Sequence, residues 1–223
     1  IPTSTYDVVF SKQDLGGKEL PGATIELKKK DGSVIETWVS DGKAHTFKLE
    51  AGEYVFHEKI APKGYEIATD ISFTVNSDGT VESKDVKVSG TGKNHIVMVD
   101  DYSTREVVIS KVDLGGKELP GAEIEIKSKD GKTVVEKWTS TTTAKKIQLK
   151  PGDYIFHEKA APNGYLKVTD IKFTVDKDGK VTNVQKAEED KAVAEGNKLT
   201  VTDKAIPTST YDVVFSKQDL GGK

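Results

Sequence analysis

Two segments a hundred residues apart, YVFHEKIAPKGY at Tyr54–Tyr65 and YIFHEKAAPNGY at Tyr154–Tyr165, each set a glutamate among aromatic residues. Read as strands, they place Tyr54, Phe56 and Glu58 on one face, and Tyr154, Phe156 and Glu158 likewise, because side chains alternate with period two. A carboxylate that points where aromatics point needs a partner or a chemical use, since burying an unpaired charge costs several kcal/mol or forces it to neutralise. Two further strand-like runs per copy supply such partners. Near the start, Val8, Phe10 and Lys12 share one parity, matched by Val107, Ile109 and Lys111; near the end, Ile96, Met98 and Asp100 are matched by Leu199, Val201 and Asp203. A single charged residue at a strand end can snorkel to water. Three inward polar groups in each of two copies are harder to explain that way.

One lysine with two carboxylates leaves a net negative charge in a low-dielectric core, and even a simple buried ion pair tends to cost as much as it returns. The cluster is more stable neutral. Desolvation lowers the pKa of a lysine and raises that of a carboxyl, which sets a nucleophilic amine beside a protonated acid. Those are the reactants for an amide. If Lys12 attacks the Asp100 carbonyl while Glu58 polarises it and shuttles protons, water leaves and two buried charges become one neutral linkage. A fold that holds the groups near attack distance would supply the rate.

The elements that must position these groups are short strands. Each copy reads as alternating runs broken by turn signals, with Asp-Gly pairs at Asp31-Gly32, Asp78-Gly79, Asp130-Gly131 and Asp178-Gly179 and clean alternation in ISFTV and IKFTV. Seven or so strands in about a hundred residues predict an all-β antiparallel sandwich of the immunoglobulin-like kind. The repeat is a whole domain in length, so residues 1–102 form domain 1 and 103–205 domain 2. The short join at Asp101–Arg105 lacks a Gly/Ser spacer, which predicts domains stacked end to end. Residues 206–223, IPTSTYDVVFSKQDLGGK, repeat Ile1–Lys18 without change and read as the first strand of a following repeat, with Lys217 as its unpaired lysine. KAEEDKAVAE at Lys186–Glu195 has a helix-favouring composition and reads as a surface insertion in copy two.

Composition narrows the function. With 35% apolar residues the chain can bury real cores, and its net charge of -3 with both signs interspersed argues against nucleic acid. No apolar run approaches a membrane span and no signal peptide is present, so the chain reads as a mature or excised piece without membrane contact. The absence of cysteine excludes disulfides and thiolate metal sites. His57 and His157 fall on the opposite parity from the glutamates, which gives them a surface role, and His45 and His95 show no metal spacing. No cofactor is expected. KELPGA at Lys18–Ala23 and Lys117–Ala122 reads as a strand-entry turn with Pro21 and Pro120 fixing φ.

FSKxD, E-x-x-APxGY and HIVMVD, as they stand in copy one, resemble the motifs of collagen-adhesin B-type (CnaB-like) domains of Gram-positive surface proteins, closely those of the fibronectin-binding-protein domain used for peptide ligation tags. The resemblance covers nearly the whole chain. It implies an isopeptide bond between Lys12 and Asp100 with Glu58 as catalyst, and between Lys111 and Asp203 with Glu158. Lys-to-Glu spacing is 46 in copy one and 47 in copy two, and Glu-to-Asp spacing is 42 and 45. Asn197 shares the parity of Asp203 and is the alternate acceptor in copy two. The reading that follows is a self-crosslinked stalk module of an extracellular, cell wall-anchored adhesin, its anchor outside this sequence. Such a module is a monomer rather than an enzyme. Its partners are neighbouring repeats, with host matrix protein bound through other regions. The rivals are a region that binds matrix directly, a minor pilin subunit, or a turnover enzyme, for which no loop gathers a nucleophile, base and anion-binding glycines.

Overall fold

The computed structural model describes residues 3–221, which form two compact units divided after Arg105. No helix occurs among the described residues. The first unit has eight strands, one more than the pattern suggested: β1 (Thr5–Asp14), β2 (Pro21–Lys29), β3 (Val34–Asp41), β4 (His45–Glu50), β5 (Gly52–Ile60), β6 (Ile71–Val75), β7 (Val81–Glu82) and β8 (His95–Asp100). They make two sheets, β4-β1-β8 and β3-β2-β5-β6-β7. The alternation in the sequence becomes the two faces of these sheets: Ile71, Phe73 and Val75 of β6 are buried, while Ser72 between them is exposed. Val8, Phe10, Ile25, Leu27, Phe56 and Ile96 complete a core drawn from both sheets. Burying each such side chain contributes about 1.5–3 kcal/mol.

One pairing decides what the fold can position. β1 and β8, the first and last strands, are parallel neighbours, with Phe10 opposite Ile96, Lys12 opposite Met98 and Asp14 opposite Asp100. A parallel pair requires a long crossover; here the crossover is the rest of the domain. The hairpin between β6 and β7 turns at Asp78-Gly79, where Gly79 has φ +85° and a Cβ would lie 2.6 Å from the Tyr6 ring, so both conformation and space demand glycine.

The second unit repeats the plan with nine strands: β9 (Arg105–Val112), β10 (Glu123–Ser128), β11 (Val134–Thr139), β12 (Lys145–Leu149), β13 (Gly152–Ala160), β14 (Ile171–Val175), β15 (Val181–Gln185), β16 (Lys191–Glu195) and β17 (Lys198–Thr202). Their sheets are β12-β9-β17-β16 and β11-β10-β13-β14-β15. The second half of the expected helix-favouring insertion is instead strand. Lys191–Glu195 pairs antiparallel with β17 from Lys191↔Thr202 to Glu195↔Lys198, and its alternation puts Ala192 on the core with Ala194 packed against it. Helix propensity is a weak prior, and here closing an open sheet edge outweighs it. Copy one, with three residues fewer between Glu and Asp, has only the bridge Ser89↔His95 at that place. Its β8 is left as an edge strand.

Of the terminal repeat segment, residues 206–221 are described and carry no strand pairing. Tyr211, Val213, Val214 and Phe215 are fully exposed there, and the Ile206 N–H donates to Gly164 O at 2.8 Å. The last two residues of the segment, and the first two of the chain, lie outside the described residues.

Candidate functional site

In each unit the sandwich brings one lysine, one glutamate and one aspartate together in the core. Lys12 comes from β1 and Asp100 from β8 of the three-stranded sheet, while Glu58 comes from β5 of the facing sheet, opposite Ile25. The group therefore spans the sandwich. Lys12 Nζ lies 3.4 Å from Glu58 Oε1 and donates to Asp100 Oδ1 at its other side. Lys12, Glu58 and Asp100 are 1%, 1% and 0% exposed. Lysine is normally among the least buried residue types, so full burial at this position marks a special environment.

The second unit reproduces the arrangement. Lys111 Nζ lies 3.3 Å from Glu158 Oε1 and in contact with Asp203 Oδ1, and all three residues are buried. Beyond that contact, Lys111 Nζ and both Asp203 carboxyl oxygens have no hydrogen-bond partner among the described residues. Asp203 sits just past β17, held by its N–H donating to Val112 O at 2.8 Å. The alternate acceptor Asn197 is exposed and donates Nδ2 to Glu106 O at 3.1 Å, away from Lys111. Parallel register explains the difference: Leu199 pairs Ile109 and Val201 pairs Lys111, so the residue two further on reaches the amine. Lys217, the remaining lysine of this motif, is exposed and has neither a Glu nor an Asp set against it in the way of Lys12 or Lys111.

Two donors absent from the sequence reading fix the glutamates. The Ala68 N–H donates to Glu58 Oε2 at 2.7 Å, and the Val168 N–H donates to Glu158 Oε2 at 2.8 Å. Both lie ten residues beyond their glutamate. Oε1 of each glutamate, the oxygen nearer the amine, has no hydrogen-bond partner among the described residues, nor has Asp100 Oδ2. Buried polar atoms are rarely left so.

Electrostatics points the same way. Burial pushes Asp100 up to about 6, with Lys12 pulling it down and the Glu58 carboxyl adding to the rise. In the second unit burial likewise raises Glu158, opposed by Lys111 and the Val168 N–H and reinforced by Asp203. In each cluster one carboxyl thus holds its proton more tightly than usual. Apolar side chains keep water away: Phe10 packs on Phe56 with ring centroids 4.4 Å apart, and Phe56 stacks on Phe73 at 4.7 Å. The arrangement sets an amine against two carboxyls, one of which in each unit holds its proton more tightly than an ordinary carboxyl.

The histidines lie elsewhere. His57 Nδ1 pairs with Asp70 Oδ1 at 2.6 Å and His157 Nδ1 with Asp170 Oδ1 at 2.7 Å, both part-exposed on the outer face. The identical thirteen-residue spacing was the sequence signal for these pairs. Ser11 Oγ and His95 Nε2 are 2.8 Å apart. Among the described residues no group of three or more His, Cys, Asp or Glu is placed to hold a metal ion.

The model of the SpaA family, described as a prealbumin-like fold domain, matches residues 6–89 and 105–191. No curated protein sequence matches the chain. Among solved structures, the pilus adhesin SpaC from Lactobacillus rhamnosus GG in its open conformation is 19% identical over 92% of this chain and 32% of its own, with a TM-score of 0.43. The Bacillus anthracis TIE protein is 23% identical over 91% of this chain and 34% of its own, at 0.40. The shaft pilin SpaA from L. rhamnosus GG is 16% identical over 93% of this chain and all of its own, at 0.38. The chain thus spans about a third of the adhesin and of the TIE protein. The family model falls on both sandwiches and covers most of the sequence, and the protein therefore belongs to the SpaA family of prealbumin-like fold domains.

Proposed function

We propose that this chain is a structural stalk module of a Gram-positive cell-surface adhesin, each domain locked by a Lys–Asp isopeptide bond that it forms on itself. The observation that carries this reading is the fully buried Lys–Glu–Asp cluster, present in both domains and spanning the two sheets of each. Membership of the SpaA family supports a structural role rather than turnover. In the first domain the Lys12 amine, uncharged after passing a proton within the cluster, attacks Asp100 Cγ. The new C–N bond forms as the C–O bond to the departing hydroxyl breaks. Glu58 takes the proton released by nitrogen and returns it to the hydroxyl, which leaves as water. Nothing is oxidised or reduced, and each domain reacts once. Lys111, Asp203 and Glu158 do the same in the second domain.

The chain works as a monomer whose neighbours are further repeats of the same protein, and Lys217 keeps a free amine. Contact with host matrix belongs to regions beyond these two domains, and the location is the outer surface of a wall-bearing cell.

The reaction rate tests the mechanism through its pH dependence. Asp100 has a raised pKa, so its protonated, attackable form persists from the ordinary carboxylate range up to about 6 and is lost above it. Refolding the chain from urea at a series of pH values and quenching at intervals gives the rate of water loss in the first domain. That rate is expected to fall as pH rises through about 6, by up to about tenfold per unit. A rate that climbs steadily with pH, as for an ordinary exposed amine, would contradict the proposal.

A further inference from the structure

Each lysine amine meets two buried carboxyls of the same chemistry, yet the proposed reaction gives them different parts: one is consumed and the other moves the proton. Geometry around the carboxyls separates them. Glu58 Oε2 accepts the Ala68 N–H at 2.7 Å and Glu158 Oε2 accepts the Val168 N–H at 2.8 Å. Asp100 and Asp203 accept no such main-chain N–H: their carboxyls meet the lysine amine and the glutamate carboxyl instead. The pattern recurs in both domains although the residue at the donor position changes from alanine to valine, as a main-chain donor allows.

We propose that the main-chain N–H groups of Ala68 and Val168 are positioning groups that make the glutamate the proton carrier and leave the aspartate as the acceptor. The inference rests on the isopeptide reading above. An N–H donates to the carbonyl oxygen of a carboxylic acid in preference to its weaker-accepting hydroxyl oxygen, so Oε2 is held as the carbonyl-like oxygen and the acid proton is placed on Oε1. Oε1 is the oxygen that lies 3.4 Å from Lys12 Nζ in one domain and 3.3 Å from Lys111 Nζ in the other. The same hydrogen bond fixes the carboxyl in the sheet opposite the amine. Attack at the Glu Cδ would require it to swing off its donor, whereas the aspartate carboxyl already lies against the amine and is held by no main-chain N–H.

The segment that carries these donors contributes no catalytic side chain. It is the loop between β5 and β6 in the first domain and between β13 and β14 in the second. Its APxGY turn closes with the N–H of Tyr65 donating to Pro62 O at 3.1 Å, and that of Tyr165 to Pro162 O at 3.1 Å. The turn is thereby pinned ahead of the residue that donates. Pro62 and Pro162 are both buried, and Val168 is 4% exposed. The recurring APxGY motif thus acquires a purpose: it aims one N–H at one carboxyl oxygen.

The test replaces the Val168 amide with an ester, by incorporating its α-hydroxy acid counterpart in the full chain, which deletes the donor and keeps the side chain. The first domain is untouched and serves as an internal clock. The chain is refolded from urea, quenched at intervals and digested, and the Lys111–Asp203 and Lys12–Asp100 crosslinked peptides are quantified. The expected result is a second-domain bond that forms about tenfold more slowly, with the first-domain rate unchanged. Val168→Ala keeps the N–H and should react at the parent rate. A pH profile adds a readout that simple loosening would not move. The Val168 N–H holds Glu158 down against burial, with Lys111 and Asp203 as the charged groups facing it. Its loss raises Glu158 further, and the limb of the second-domain pH profile that Glu158 sets moves to higher pH. An ester chain with parent rate and parent profile overturns the inference, as does a slowing that Val168→Ala shares in full. Failure of both domains of the unsubstituted chain to lose water overturns the isopeptide reading itself, which separates the two failures.

Discussion

A single molecule stretched between its ends is expected to extend its terminal segments while both sandwiches stay folded. β1 and β8 are parallel neighbours, and Lys12 and Asp100 meet at their far ends. With the amide in place, force entering β1 passes through the Lys12 side chain into Asp100 and out of the domain. The segment between them, spanning a sequence separation of 88, bears no load. Without the amide the same segment would pull out, and at about 3.3–3.6 Å per residue it would add roughly 300 Å. Asp100→Ala should restore one step of that size and leave the second domain locked, because Lys111 and Asp203 are untouched. Steps of roughly 300 Å in the unsubstituted chain would show that its domains are held by hydrogen bonds alone.

Removing the proton carrier should be nearly as costly to a domain as removing the bond. General acid–base assistance is worth about 10²–10⁴ in rate, so Glu58→Ala leaves Lys12 and Asp100 unlinked on any practical timescale. The domain then loses the constraint on its unfolded chain. Chain-entropy estimates for a loop this long give about 4–5 kcal/mol, by a scale calibrated on disulfides. For a domain of this size each kcal/mol is worth about 4–8 °C. The first domain of Glu58→Ala is therefore expected to melt roughly 20 °C or more below the second, as a separate calorimetric transition. Glu58→Gln keeps the shape and removes the transferable proton, and it should behave alike. A first domain of Glu58→Ala that melts with the parent would mean that Glu58 has no part in any stabilising reaction.

Parity alone placed Lys12, Glu58 and Asp100 inward, because a two-residue period in a strand leaves little choice once the aromatic neighbours are assigned to the core. The same reasoning left both Asn197 and Asp203, six residues apart on one face, as candidates; the parallel register of β17 with β9 sets Asp203, and not Asn197, beside Lys111. KAEEDKAVAE misled because alanine, glutamate and lysine favour helix locally, while the open edge of β17 selects strand. The Ala68 and Val168 donors were invisible for a different reason: a main-chain N–H belongs to every residue but proline, so no residue type signals it. Only the repeated ten-residue spacing from each glutamate carried a trace of it.

Intact mass of the folded, purified chain tests the central claim most directly. Two amides formed by condensation remove two waters, one from each domain, so the account predicts a single-chain species two waters lighter than its sequence mass. Glu58→Ala or Glu158→Ala should each restore one. A folded chain with the full sequence mass would contradict the account in both domains, and loss of a single water would confine the chemistry to one of them.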